Sequence, residues 1–132
     1  RCLTKEIDPP LAAMALTTDT SILTAIGNDY GFEHVFSRQI EALGKPGDVL
    51  IAMSTSGNSE NVLKAIYVAG RMGIRVIGKT GKTGGKMSMV CERIFRAALD
   101  DTQFVQEYHM KLGHEYCGLI EKEMFNKGER ND

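Results

Sequence analysis

The sequence predicts an α/β fold: a central parallel sheet flanked by helices. Three observations carry this. Short apolar runs of strand length alternate with helix-period segments. The clearest run, Val49-Leu50-Ile51-Ala52-Met53, is uninterrupted, as expected of a parallel strand buried on both faces. It leads through Ser54-Thr55-Ser56-Gly57-Asn58-Ser59 into a helical segment, and ligands of parallel sheets sit at such strand ends.

The elements follow in order. Residues 1–10 are polar, end in Pro9-Pro10 and read as an extended lead-in. Leu11 to Leu16 is a short apolar run and a candidate buried strand. Thr17-Thr18-Asp19-Thr20-Ser21 reads as a strand-to-helix turn with several capping candidates. Gly27-Asn28-Asp29-Tyr30-Gly31 breaks the chain again. Phe32, Val35, Phe36, Gln39, Ile40 and Leu43 then keep helical spacing until Gly44-Lys45-Pro46-Gly47. After the Val49–Met53 strand, Glu60 to Met72 forms a helix with Val62, Leu63, Ile66 and Ala69 on one stripe, and Gly73 ends it. Ile74 to Ile77 is a strand, Gly78 to Lys86 a glycine- and lysine-rich loop, Met87 to Val90 a short helix, and Ile94 to Ala98 a further strand. Thr102 to Phe125 is the longest periodic segment, with Val105, Tyr108, Leu112, Tyr116, Leu119 and Ile120 on a shared apolar face. Residues 126–132 form a polar tail, leaving 11–125 as one domain.

Composition narrows the function. A chain of 132 residues with a formal net charge of −1 has no basic field for nucleic acid or an anionic membrane surface. No apolar run approaches a membrane span, and no apolar h-region marks the start as a signal peptide. Cys2, Cys91 and Cys117 are odd in number and widely spaced, which fits packed, unpaired thiols in a reducing, cytoplasmic setting.

The Ser54–Ser59 loop carries the chemistry. Helix-start amides and the helix dipole favour an anion there. One helix cap needs one capping residue, whereas this turn supplies Ser54, Thr55, Ser56, Asn58 and Ser59. Gly57 allows close backbone approach, and the loop holds no Lys or Arg. A single phosphate on a small molecule suits it better than a nucleoside triphosphate. Gly73-Ile74-Arg75-Val76-Ile77-Gly78-Lys79-Thr80 spells a nucleotide-binding P-loop, but its context is wrong. That motif needs a strand before its first glycine and a helix after its Lys-Thr. Here a helix precedes it and glycines follow.

Histidines are the switchable groups. His34, among apolar neighbours, reads as structural; His109 and His114 share the last helix, where structural roles are common. His114, between Gly113 and the acidic Glu115, is also a candidate acid/base group or metal ligand. Asn28 and Asp29 suit a turn, and equally a pair of groups for sugar hydroxyls.

Taken together, Asp19-Thr20-Ser21, Gly27 to Phe32, Phe36-Ser37-Arg38-Gln39, Gly47-Asp48-Val49-Leu50, Ser54 to Ser59 with Asn61-Val62, Gly81 to Met87, Gln106-Glu107-Tyr108-His109 and His114 occur in an order that resembles the phosphoheptose isomerases of the sugar-isomerase (SIS) domain group. The resemblance runs from about Pro10 to Met124. It implies a SIS-type three-layer fold and isomerisation of sedoheptulose 7-phosphate to D-glycero-D-manno-heptose 7-phosphate, for the heptose of bacterial lipopolysaccharide or capsule. It further implies that Ser54, Thr55, Ser56 and Ser59 hold the phosphate, that Asn28, Asp29 and Gln106 contact substrate, that Gln106 and His114 bind zinc, and that His114 is a catalytic acid/base. The family is a homotetramer with sites between subunits. Some relatives instead form non-catalytic tetramers that bind a replication-initiator protein, which is the competing expectation. The chemistry agrees with the first. Moving a carbonyl between adjacent carbons needs a base and an acid, and zinc can stabilise an enediolate.

Departures from the family pattern set further expectations. The family carries, upstream, an N-terminal helix, a first strand, a glycine-rich loop and a helix with a His and a Glu that supply two zinc ligands and the usual base. This chain is expected to lack them. Phe104 stands where the family has Arg. Gln106 and His114 are eight residues apart, roughly 12 Å of helix rise and about 80° of turn, so one metal could join them only if both stretch toward it or subunits share it.

Overall fold

A computed structural model describes residues 10–125; most of the lead-in and the whole of the polar tail at 126–132 lie outside the described residues. Helix α1 spans Thr20–Tyr30, a 3-10 turn Phe32–His34, and α2 Ser37–Leu43. Strand β1 (Val49–Ser54), helix α3 (Glu60–Arg71) and strand β2 (Arg75–Thr80) follow, then α4 (Met87–Val90), β3 (Arg93–Arg96) and α5 (Thr102–Phe125). The three strands form one sheet in the order β1-β2-β3, and both pairings are parallel.

Sequence alternation assigns the two faces. Leu50, Ala52 and Ser54 share one face of β1, and their register partners Val76, Gly78 and Thr80 continue it on β2. The apolar stripe of α3 packs there: Leu63, Ile66 and Ala69 are buried together with Ala52, Ile74, Val76 and Ile40 of α2. On the other face Lys79 reaches α5, its Nζ donating to the His109 carbonyl at 3.2 Å. Helices, sheet and helix therefore make three layers, as the fold class predicts.

Four expectations need correction. Leu11–Leu16 is not a strand. No ladder partner takes it up among the described residues, Leu11 is exposed, and the Leu16 carbonyl is satisfied by Gln39 Nε2 at 3.0 Å. The Gly27–Gly31 break falls only at its end. Helix α1 is capped by Asp19, whose carboxylate accepts from the Ile22 amide at 3.0 Å, and it runs on through Tyr30. Asn28 and Asp29 bond to each other by their side chains at 2.8 Å and leave the helix backbone intact; the chain turns at Gly31, with φ 94°. The helix expected over Phe32–Leu43 splits in two. Buried Gln39 accounts for the join, since its Nε2 also donates to the Val35 carbonyl at 2.7 Å. Finally, β1 is buried on one face only: Val49, Ile51 and Met53 are 55%, 42% and 54% exposed.

Helix α5 keeps the predicted bounds but not the whole predicted face. Val105, His109 and Leu112 are buried, Tyr108 and Tyr116 half-buried, and Leu119 and Ile120 exposed. The Tyr116 ring meets Phe95 edge-on at 5.5 Å. No helix among the described residues is long and apolar enough to cross a membrane.

The core on the α3 side dominates stability. Truncating Leu63, 2% exposed at its centre, to Ala is expected to cost about 2–5 kcal/mol in urea unfolding. A cost below about 0.5 kcal/mol, the level of a surface change, would contradict this packing.

Candidate functional site

Strands β1 and β2 end side by side, with Ser54 opposite Thr80. Beyond them the two outgoing loops run against each other. The Gly81 amide donates to the Thr55 carbonyl at 2.9 Å, and the Met87 amide to the Gly57 carbonyl at 3.0 Å. Gly57 has φ 67°, and a Cβ there would fall onto the Gly84 carbonyl; a Cβ at Gly85 would fall onto the Ser56 carbonyl. Only glycine allows both backbones to approach this closely. Asn58 completes the join. Its Nδ2 donates to the Ser56 carbonyl and its Oδ1 accepts from the Lys86 amide, each at 3.0 Å.

The hydroxyls are held differently. Ser59 occupies the N-cap position of α3, yet its side chain makes no capping hydrogen bond. Its Oγ lies 2.8 Å from Ser54 Oγ, and Ser56 Oγ lies 3.4 Å from Ser54 Oγ. The α3 amide at Val62 is met by Asn61 Oδ1 at 2.8 Å instead. Simple capping is therefore not what these serines do. Three hydroxyls meet at the start of a 12-residue helix, where the dipole and the first amides favour an anion. Ser54 is buried, Thr55 and Ser59 half-buried and Ser56 exposed, so the cluster opens outward.

The other predicted residues stand elsewhere. Asn28 and Asp29 sit exposed on the last turn of α1. Asp29 lines a shallow, mainly apolar cleft of about 280 Å³ with Ile22, Ile26, Arg38 and Leu43, in which Arg38 stacks 3.8 Å from the Tyr30 ring. Gln106 and His114 are both exposed on α5. Neither pair makes a hydrogen bond to the Ser54–Ser59 cluster among the described residues. No group of three His, Cys, Asp or Glu side chains among them could hold a metal. The zinc site implied by the resemblance therefore does not fit these residues by themselves.

The remaining histidines divide. His109 is buried, with Nε2 3.2 Å from the Thr80 carbonyl, a structural role as predicted. His34 is not among apolar neighbours: its Nε2 lies 3.1 Å from Lys64 Nζ, with Glu33 close by. The polar partner comes from α3, remote in sequence, so local composition did not reveal it. Lys79 and Thr80 lie on β2 and are buried beneath α5, which removes the P-loop reading. Burial pulls the Lys79 ammonium below its ordinary 10.5, and burial pushes the Cys91 thiol above its usual range, so Cys91 stays protonated and unreactive at neutral pH.

An open parallel α/β sheet with a hydroxyl-rich loop at a strand's carboxyl end places this turn where α/β domains carry their ligand sites. A profile of the SIS domain matches residues 4–81, and the chain belongs to the SIS domain family. Similar curated proteins include the phosphoheptose isomerase of Rhodospirillum rubrum, 59% identical over 85% of this chain and 60% of the relative, and that of Geotalea daltonii, 56% identical over 91% and 62%. Among solved structures, phosphoheptose isomerase from Neisseria gonorrhoeae superposes with TM-score 0.82 at 49% identity, covering 84% of this chain and 62% of that one. The enzyme from Francisella tularensis gives 0.85 at 38% identity over 87% and 62%. The chain thus spans about three fifths of the length of these relatives. Their names support the isomerase expectation and not the initiator-binding alternative.

Two predictions follow from this geometry. Gly57→Ala combines a positive φ with a clash against backbone and is expected to lower stability by about 1–3 kcal/mol. Gly118→Ala, in a helix with nothing within 4 Å, is expected to raise it by about 0.5–1 kcal/mol. Equal effects in urea unfolding would contradict the loop contact. For Lys79, the lowered folded pKa means that the unfolded chain binds the proton more tightly. Stability therefore rises with pH between the lowered folded value and the ordinary 10.5. The stability of wild type relative to Lys79→Met should therefore increase as pH rises from the lowered folded value towards 10.5. A constant difference would show that burial does not disfavour this cation.

Proposed function

We propose that the protein carrying this chain isomerises sedoheptulose 7-phosphate to D-glycero-D-manno-heptose 7-phosphate. The observation that carries the reading is the Ser54–Ser59 cluster, whose hydroxyls face one another instead of capping α3. The phosphoheptose isomerases similar to it over most of its length supply the substrate. In this reading Ser54, Thr55, Ser56 and Ser59, with the first amides of α3, bind the phosphate. Anchoring that end fixes the position of the distant carbonyl and converts the reaction at C1 and C2 into a positioned, unimolecular one. Asn28, Asp29 and Gln106 contact the sugar, and His114 moves a proton to or from the reacting oxygens as a general acid/base.

Zinc belongs to this proposal only through Gln106 and His114; the further ligands it needs would come from another segment or another subunit. Assembly as a homotetramer is part of the same reading. It is supported by the bare apolar face of β1 and the exposed second half of α5, with Leu119, Ile120 and Met124 outward. A cytoplasmic setting and a role in heptose supply for lipopolysaccharide or capsule complete the reading.

The test is turnover of sedoheptulose 7-phosphate by the protein that carries this chain. Ser54→Ala is expected to raise KM by about tenfold with a smaller change in kcat, as for loss of a hydrogen bond to a charged group. His114→Ala is expected to lower kcat by about 10²–10⁴-fold. Absence of turnover in the folded wild-type protein would reject the assignment, and an unchanged kcat in His114→Ala would remove that residue from catalysis.

A further inference from the structure

A phosphate dianion gains most from a cation, yet the cradle itself contains none between Ser54 and Ser59. The loop packed against it contains Lys82 and Lys86, with Lys79 on the β2 strand just before it, and the structure separates the roles of the three. Lys79, where the loop leaves β2, is buried beneath α5 and bonds the His109 carbonyl at 3.2 Å. Lys82 is held by Asp100 at 3.0 Å. Lys86 is exposed and makes no ion pair among the described residues. Its backbone, however, is tied directly to the cradle: its amide donates to Asn58 Oδ1 at 3.0 Å, and the next amide, of Met87, donates to the Gly57 carbonyl at 3.0 Å. Arg96 is the other cation near this strap. Its stem lies against Gly84, where a Cβ would come within 3.1 Å of Arg96 Cδ, and among the described residues no hydrogen bond joins it to the cradle.

We propose that Lys86 is the charge-bearing member of the phosphate site and that Asn58 is the positioning residue that presents it. The inference rests on reading Ser54–Ser59 as a phosphate cradle. The Asn58 side chain joins the two loops, donating from Nδ2 to the Ser56 carbonyl and accepting the Lys86 amide at Oδ1. The glycine contact at 57 and 84–85 removes the side chains that would hold the strap away. The flexible four-carbon stem of Lys86 then delivers a compact ammonium with three donors to an anion bound at the hydroxyls. Serines give the site its shape and Lys86 adds long-range attraction, so phosphorylated sugars are favoured over neutral ones.

The test is calorimetric binding of inorganic phosphate to the full protein. Lys86→Met is expected to weaken binding by about tenfold and flatten its salt dependence, while Lys86→Arg restores most of the affinity. Arg96→Met should change affinity by less than about twofold. For the phosphorylated substrate, Lys86→Met should raise KM and leave kcat near wild type. If Ser54→Ala weakens phosphate binding but Lys86→Met does not, or if Arg96→Met produces the loss instead, the Lys86 assignment is overturned and the cradle stands. If the wild-type protein binds no phosphate, cradle and Lys86 assignment fall together.

Discussion

The parallel register of β1 and β2 is the constraint on which the candidate site depends. Ser54 pairs with Thr80, so the chain leaves both strands at the same level and on neighbouring tracks. Two loops emerging so close must either splay or pack backbone to backbone. Here they pack, because Gly57, Gly84 and Gly85 carry no side chains at the contact and all three have positive φ. The amides of Gly81, Lys86 and Met87 then find acceptors on the Thr55–Asn58 segment. With its shape set from outside, the loop does not need its serines for capping, and Ser54, Ser56 and Ser59 turn toward one another.

The same constraint explains which parts of the molecule were legible in the sequence. Features determined by neighbours along the chain were readable. The strand at Val49, the amphipathic α3 and the long α5 follow from local periodicity, and the density of hydroxyls after β1 marked the turn where Ser54, Ser56 and Ser59 cluster. Features determined by remote partners were not. Leu11–Leu16 has the composition of a strand, but a strand needs a ladder, and Gln39 takes the Leu16 carbonyl instead. Asn28 and Asp29 have the composition of a turn, yet their side chains satisfy each other and α1 continues. The glycines at 84 and 85 read only as loop, because their purpose lies 27 residues upstream at Gly57 and the contact has no local signature.

The candidate site residues fall into groups of different standing. Ser54, Ser56 and Ser59 are brought together by a single strand–turn–helix unit and need nothing else to assemble. Asn28 and Asp29 on α1, and Gln106 and His114 on α5, are exposed on separate elements. Their separation on α5 follows from helix geometry, which puts residues eight apart roughly 12 Å along the axis. Among the described residues nothing bridges these groups, and the chain spans about three fifths of the length of its relatives. The exposed apolar residues of β1 and the late turns of α5 belong to the same picture: surfaces that alternate correctly for burial but meet no cover within the described chain.

The central claim, that the β1–α3 turn is an anion cradle shaped by the glycine contact, is tested most directly by NMR. Backbone amide shifts would be followed as sedoheptulose 7-phosphate is added. The largest changes are expected at Thr55 to Asn61, with a second set at Gly84 to Met87 that moves in step with the first. Changes confined to the cleft lined by Leu99, Phe104 and Tyr108, with the Thr55–Asn61 amides unmoved, would contradict the account.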